Sequence, residues 1–490
     1  MALGIAWNAA RSGLSVASGQ MSLVSQNVAR VRDPDATRKA ASQQSLSGGG
    51  VRLGDVGRSA NLSLLESYLS SHARAEMNLV IEQSIGGLGE TIGDPEQERS
   101  PAARLSKLEQ ELRLFAAIPS DTAAGRSVLA SAVGLAGALN EARQLTMEVR
   151  DDADREIANA VTEFNRLLGS LEEANTEILR KSGSGEDLTS LLDSRDGVLK
   201  QIAGQIGIRV LPRNGNDIQV YTESGIVLFE TVARKVEFEP RAPLGAAGVG
   251  AEVMIDGVPS TGVNAVMALS SGRIAGLVKI RDDLAVTYGG QLDEIARGLI
   301  STFADVDRSG GGGPNLPGLF TWQAASVPTA ASVVAGLAAQ ITVNAAIDPA
   351  QGGSLRYLRD GGASAPSNPN YNANPSGASG YSGRISELVT AISSTRAFAA
   401  TTELDAQASL MNYSAGSAGW IGEARRSASA EYELRASVRD RAGELLSGAT
   451  GIDLDRELAD MLVLERSYQA SSRLLATVDG MLQTLFSALR

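Results

Sequence analysis

GIDLDRELADMLVLERSYQASSRLLATVDGMLQTLFSALR, residues 451–490, decides how the rest of the chain is read. One row of its side chains recurs every seventh residue: Leu454, Met461, Tyr468, Leu475, Leu482 and Leu489. A companion row holds Leu464, Ser471, Val478 and Leu485, with polar Glu457 at its head. Two rows offset by three and four residues form the heptad seam of a helix that packs against another helix. Leu458, Leu462, Leu474, Met481 and Phe486 fall off the seam and widen the apolar surface. A helix apolar over much of its girth needs neighbours on several sides.

The opposite end carries a matching stripe. Leu3, Trp7, Ala10, Leu14, Ala17, Met21, Val24, Val28 and Val31 alternate spacings of four and three. They predict a helix roughly 43 Å long at 1.5 Å per residue. End helices ordinarily pack on their own domain; the length of both seams and the extra apolar residues point instead to neighbouring copies.

Between these ends the texture is palindromic. Asp33-Pro34-Asp35 stops the first helix, and a polar connector runs to Gly48-Gly49-Gly50. A short strand at 51–53 precedes a helix over 61–83. Ser100-Pro101 caps a helix that ends near Ile118, and Ser120-Asp121 restarts a long one. Its seam is Ile157, Val161, Phe164, Leu168, Leu171 and Ile178, with Asn175 in register. Another helix starts near Glu186. Alternation at Ile208/Val210 and Ile218/Val220 around Asn214-Gly215 reads as a hairpin that opens a β-rich stretch. Helix returns from Ile280 to about Phe303. Residues 309–380 are rich in Gly, Asn and Pro with one strand at 341–343, and 385–446 is helical again. Gly448 and Gly451 then hinge into the last helix.

The fold class expected is mainly α with a β-rich middle: elongated, with terminal coiled-coil helices, a helical rod domain and a small outer β domain. Its expected divisions are an axial helix and connector over 1–45; rod segments over 46–207, 276–308 and 384–449; a β-rich section over 208–275; an outer loop or reduced β insertion over 309–383; and a C-terminal axial helix over 450–490.

Composition narrows the function. The chain of 490 residues has 43% hydrophobic but only 4% aromatic residues, so it packs through small residues and Leu/Val ridges. A net charge of −12 argues against nucleic acid, whose phosphates need a basic face. No run of about 18 apolar residues suggests membrane insertion, and no leader peptide is evident in residues 1–20. Zero cysteines exclude disulfides, Cys-ligated metals and thiol nucleophiles. A single histidine, His72, rules out two-His metal sites and reads as a surface or partly covered helix residue. Asp151-Asp152-Asp154 reads as a solvated helix face. Asp305-Val306-Asp307 lacks the closing acid of a calcium loop and reads as a helix end. No catalytic group, cofactor or metal is expected.

Motifs at both ends resemble those of the flagellar axial proteins. Asn27-Val28-Ala29, Pro34 and Thr37-Arg38 are similar to the N-terminal signature of rod, hook and hook-associated proteins, with Arg30 standing for its second Asn, Asp33 for its Thr and Asp35-Ala36 for Gly-Tyr. Leu464-Glu465-Arg466-Ser467-Tyr468-Gln469-Ala470-Ser471 and Thr477–Leu485 resemble the axial C-terminal helix. In the middle, Leu191–Leu199 with Asp193, Arg195 and Asp196, Gly272–Leu277 with Arg281-Asp282, and Val306–Leu319 resemble the FlgK family, the first hook-associated proteins. The resemblance implies a structural subunit of the hook–filament junction, exported without a cleaved leader and secreted to the extracellular bacterial flagellum. Implied partners are further copies in a ring, the hook protein, the second hook–filament junction protein and an export chaperone. Asp193, Arg195 and Asp196 are expected to bridge helices or cap turns. Residues 1–45 and 450–490 are expected to order only on assembly. Another axial subunit, such as the hook or distal rod protein, and a secreted coiled-coil surface protein are the other readings.

Overall fold

A computed structural model describes residues 2–47, 49–89, 99–184, 186–329 and 333–488. Helix α1 (Ala2–Ala29) is followed by an antiparallel hairpin of β1 (Lys39–Ser45) and β2 (Val51–Arg58). Then come α2 (Leu62–Gly89), α3 (Pro101–Ala117), the 61-residue α4 (Thr122–Ser182) and α5 (Thr189–Gln205). At 1.5 Å per residue α4 alone is about 90 Å long. The accessible surface of 23557 Å² exceeds the roughly 17,000 Å² of a compact monomer of this mass. The molecule is accordingly extended.

The caps named from sequence are formed. Ser100 accepts from Ala103 N at the start of α3, and Asp121 accepts from Ala123 N at the start of α4. The hairpin is also present: β3 (Ile208–Pro212) pairs with β4 (Ile218–Thr222) through a turn in which Gly215 takes φ +74°. β5 (Val227–Phe229) adds to that sheet. β6 (Val236–Glu237), β7 (Met254–Ile255) and β8 (Val258–Pro259) make a second small one.

α6 (Arg273–Lys279) passes through a π-helical turn, Ile280–Leu284, into α7 (Ala285–Thr302). Two glycines explain how closely α6 docks. Gly272 has φ +95°, and a Cβ on Gly276 would lie 2.7 Å from the carbonyl of Met77 in α2.

Residues 309–383, expected as an outer loop or reduced insertion, are irregular but packed inward. They carry a two-residue ladder, β9 (Phe320–Thr321) with β10 (Thr342–Val343), and the short α8 (Arg356–Asp360). Leu319, Phe320, Leu337, Ile341, Ile347 and Leu358 are all buried against the rods. The helical stretch expected from 385 to 446 is interrupted. α9 (Gly383–Ser393) ends in a hairpin of β11 (Thr395–Ala397) and β12 (Gln407–Ser409) before α10 (Leu410–Thr450) begins. Gly451 caps α10, and α11 (Leu454–Ala488) completes the chain.

The apolar core is double. One cluster gathers Leu105, Leu135, Leu292, Ile300, Ile385 and Tyr413; the other gathers Leu69, Ile157, Phe164, Ile202, Val220 and Ile274. α4 threads both. Its first part is long and apolar enough by composition to cross a membrane, which corrects the expectation that no such run exists. Val128, Ala132, Leu135 and Leu139 of that part are buried inside the fold.

Buried charge lies between the two clusters. Arg143 pairs with Asp293 at 3.2 Å, and Arg281 with Asp154 at 2.6 Å. Arg150 donates to the carbonyls of Arg281, Gly245 and Gly248. Asp154 also accepts from Arg241 N and Ala242 N. The solvated face expected for 151–154 is thus corrected: Asp152 is exposed, but Asp154 is fully buried because the strand-free segment 241–251 closes over it.

Candidate assembly interface

The two end helices pair with each other along their seams. On α1, Ala10, Ala17 and Val24 are buried, and Leu3, Trp7, Leu14, Met21 and Val28 are half-buried. On α11, Val478 is buried and Met461, Leu464, Leu475 and Leu482 are half-buried. Leu454, Tyr468 and Leu485 of the same rows are exposed, and Leu489 lies outside the described residues. α1 is covered on a second side by the β1–β2 hairpin, which buries Val16 and Leu23; a Cβ on Gly19 would lie 3.0 Å from Leu53.

α11 has no such second cover. Among its described side chains only Glu457 and Val478 are buried. Leu458, Leu462, Leu474 and Met481 are between 47% and 60% exposed. Monomeric proteins rarely expose a continuous apolar strip of this length.

At its root the pair is locked to the body by polar contacts. Asn27, fully buried, clasps the connector by donating to Lys39 O at 2.9 Å and accepting from Lys39 N at 3.1 Å. The same amide donates to Glu457 at 2.9 Å. Arg38 reaches Glu457 at 2.6 Å and Asp460 at 2.8 Å, and its N–H donates to Thr450 O. Connector, α10 and α11 therefore meet at one point.

A second hub is Asp193 on α5. Its buried carboxylate accepts from Arg30 and Arg58 at 3.1 Å each and from the Thr37 hydroxyl. Arg58 also holds Asp196 at 2.7 Å, and Lys39 Nζ donates to Ser190. Partial burial works against the charge on Arg30; its hydrogen bonds to Asp33 and Asp193 outweigh this and set its pKa above the ordinary value. The Arg30 hydrogen bond in turn holds the Asp33 carboxyl below its usual range. Arg30, a departure from the signature, thus takes a structural part that two charge-assisted bonds define.

Of the motif residues named from sequence, the structure brings Asn27, Arg38, Asp193 and Asp196 into this joint. Pro34 lies on its exposed turn. Arg195 faces the other way, donating to Asn175 and to the carbonyl of Asn216. Arg466 and Gln469 are exposed on α11. Sequence reasoning gave no part to Arg58, Lys39 or Asp460, since single charges carry no period. His72 is half-buried on α2, stacked on Tyr68 at 5.6 Å. No cluster of acidic or histidine side chains that could hold a metal occurs among the described residues.

Comparison with known proteins bears on this arrangement. The family profile described as the flagellar hook-associated protein FlgK helical domain matches residues 90–318. That described as the flagellar basal body rod FlgEFG protein C-terminal matches residues 448–488. The first spans just under half of the chain and the second its last helix. A solved structure of the flagellar hook junction protein FlgK from Burkholderia pseudomallei is 19% identical, with a TM-score of 0.43 over 52% of this chain and 46% of that one. The chain thus spans about half the length of that structure, and the family profiles carry the assignment. No curated protein matches.

Proposed function

The chain belongs to the FlgK family of flagellar hook-associated proteins, and we propose that it is the structural subunit that joins hook to filament, with no catalytic activity of its own. The observation that carries this reading is the uncovered apolar surface of α11. Copies arranged in a ring, above the hook protein and below the second junction protein, bury that surface in concentric helical layers.

The energetics favour ordering on assembly. Each Leu taken from water contributes roughly 1.5–3 kcal/mol. Fixing backbone costs about 1–2 kcal/mol per residue, and in the isolated chain α11 buries too little to offset that cost. The polar joint narrows the segment concerned. Asn27, Arg38 and Glu457 anchor the roots, so the parts that order late are α1 before about residue 24 and α11 beyond about 461, rather than all of 1–45 and 450–490. An unfolded, amphipathic C-terminal segment suits export and offers a handle for an export chaperone. The assembled protein is extracellular.

Hydrogen exchange on the purified monomer tests the ordering. We expect weak protection across 461–488 and strong protection across α4; strong protection of both removes the basis for coupled folding. In cells, Leu482→Asp should give hooks without filaments and release filament subunits to the medium. Normal motility in that strain refutes the lattice role.

A further inference from the structure

Helix α1, the β1–β2 hairpin and α11 form an end unit that is packed differently from the body. The clamp of Asn27, Arg38, Lys39 and Glu457 makes its roots one piece. Neither apolar core contains a residue of this unit: every described member lies between Leu65 and Leu446. Of the apolar residues in the connector only small Ala36 is buried, while Val31 and Pro34 are exposed.

The chain crosses between unit and body twice, at 59–61 between β2 and α2 and at 451–453 between α10 and α11. The Arg38 peptide bridges the two crossings. Its N–H donates to Thr450 O and its carbonyl accepts from Ser59 N, each at 2.8 Å. Covalent attachment thus converges on one pivot. Away from it the unit rests on a single face of α5, where Ser190, Asp193, Asp196 and Lys200 follow at spacings of three and four. They meet Lys39 at 2.7 Å, Arg30 at 3.1 Å, Arg58 at 2.7 Å and Asp35 at 2.8 Å respectively. Each of these contacts is polar and ends on a long, flexible Lys or Arg. Arg58 already divides between Asp193 and Asp196, and Arg30 between Asp33 and Asp193. A guanidinium with two acceptors passes from one to the other without being left uncompensated. A cleft of about 640 Å³ separates the two parts, lined by Val31, Pro34 and Ala36 from the unit and by Leu62, Leu65 and Leu446 from the body. It gives the unit room to tilt.

We propose that the end unit is a rigid arm that swivels on the body about the Arg38 pivot, its tilt set by exchange of the Arg and Lys contacts along α5. A polar interface inside one chain permits such motion where a large hydrophobic one does not. The non-helical residues at 59–61 and 451–453 are enough to absorb it, since hinges need only a few loop positions. Copies fixed to a common lattice by their end helices can then set their bodies at different angles, a consequence that rests on the reading above.

The absence of cysteine makes the test clean. Spin labels are placed on the purified full chain at Ser25→Cys and Thr176→Cys, exposed positions on the clamped root of α1 and on α4. Thr176→Cys with Ser427→Cys, exposed on α10, is the control within the body. By double electron–electron resonance we expect the distance distribution across the joint to be about twice as wide as the control's. Arg58→Gln removes two of the four ion pairs that cross the joint, Arg30–Asp193, Arg58–Asp193, Arg58–Asp196 and Lys200–Asp35. It should widen the joint distribution by roughly half as much again and leave the control unchanged. Lys200→Gln, at a more exposed pair, should act in the same direction and guard against misfolding of the first variant. A joint distribution as narrow as the control in both variants overturns the swivel, and so does a control that broadens with it. Because the readout is on the isolated chain, either failure leaves the junction role standing; absence of the chain from flagella overturns that role and leaves the swivel.

Discussion

Glu457→Ala is the sharpest test of how the end helices are held. The wild-type carboxylate is fully buried and binds Arg38 at 2.6 Å and Asn27 at 2.9 Å. Truncating one member of a buried ion pair costs about 3–5 kcal/mol when the other is left uncompensated. Here the partners are not stranded: Arg38 keeps Asp460 at 2.8 Å, and the Asn27 amide keeps Lys39 O at 2.9 Å. The loss should therefore fall near the lower end, about 2–3 kcal/mol. Since each 1.4 kcal/mol is tenfold in an opening equilibrium, amides protected by the joint should exchange roughly 30–150 times faster. The reporters are Arg38 N, bonded to Thr450 O, and Lys39 N, bonded to Asn27. Amides of α4 serve as the control, because they belong to the two cores and not to the joint. Exchange at Arg38 and Lys39 within threefold of wild type would refute the clamp. So would an equal acceleration in α4, which would mean that the whole body had loosened.

Two further outcomes follow from buried charge. Asp154→Ala strips Arg281 of its closest carboxylate and two backbone N–H groups of their acceptor, so urea unfolding should lose about 3–5 kcal/mol, while exposed Asp152→Ala should change little; a loss under about 1 kcal/mol at Asp154 counts against the account. Burial, helped by Arg439 and Lys200 and opposed by Glu76, puts His72 below its ordinary pKa of 6.5. Because the unfolded chain binds the proton first, this contribution to stability is full above 6.5 and is lost as pH falls from there through the folded value. The His72 imidazole signal, the only one in the chain, should titrate below 6.5, and His72→Gln should remove that part of the acid sensitivity. Titration at or above 6.5 refutes it.

Much of the fold was legible because rods announce their buried face by spacing. Ile157, Val161, Phe164, Leu168, Leu171 and Ile178 all prove buried on α4, and the Asn214-Gly215 turn closes the hairpin expected of it. Residues 309–383 were illegible for the converse reason. Leu319, Leu337, Ile341 and Leu358 enter the core from irregular backbone, and coil imposes no period on its apolar residues. The joint was half legible. Motif resemblance singled out Asn27, Arg38 and Asp193, but, Lys39 aside, the partners described above lie between 135 and 430 residues away in sequence.

One signal for the buried polar residues was present in the spacing. The α4 seam extends backwards from Ile157 and Val161 in steps of seven to Arg150 and Arg143 on one row, and to Asp154 on the other. All three are buried. Asn175, in register further along, is buried between Arg195 and Asp217. Glu457 heads the companion row of α11 and is buried too. A seam position is covered whatever residue occupies it, so a charge placed there must find a partner or lose several kcal/mol of solvation. On α4 those partners are Asp293 of α7, the Arg281 side chain in the π-helical turn, and the strand-free segment 241–251, whose backbone groups answer Arg150 and Asp154 instead of forming a ladder. On α11 the partners are Asn27 and Arg38. Charges in register with an apolar seam thus mark where a long rod is tied to its surroundings by polar contacts: at the waist between the two cores, and at the root of the assembly surface.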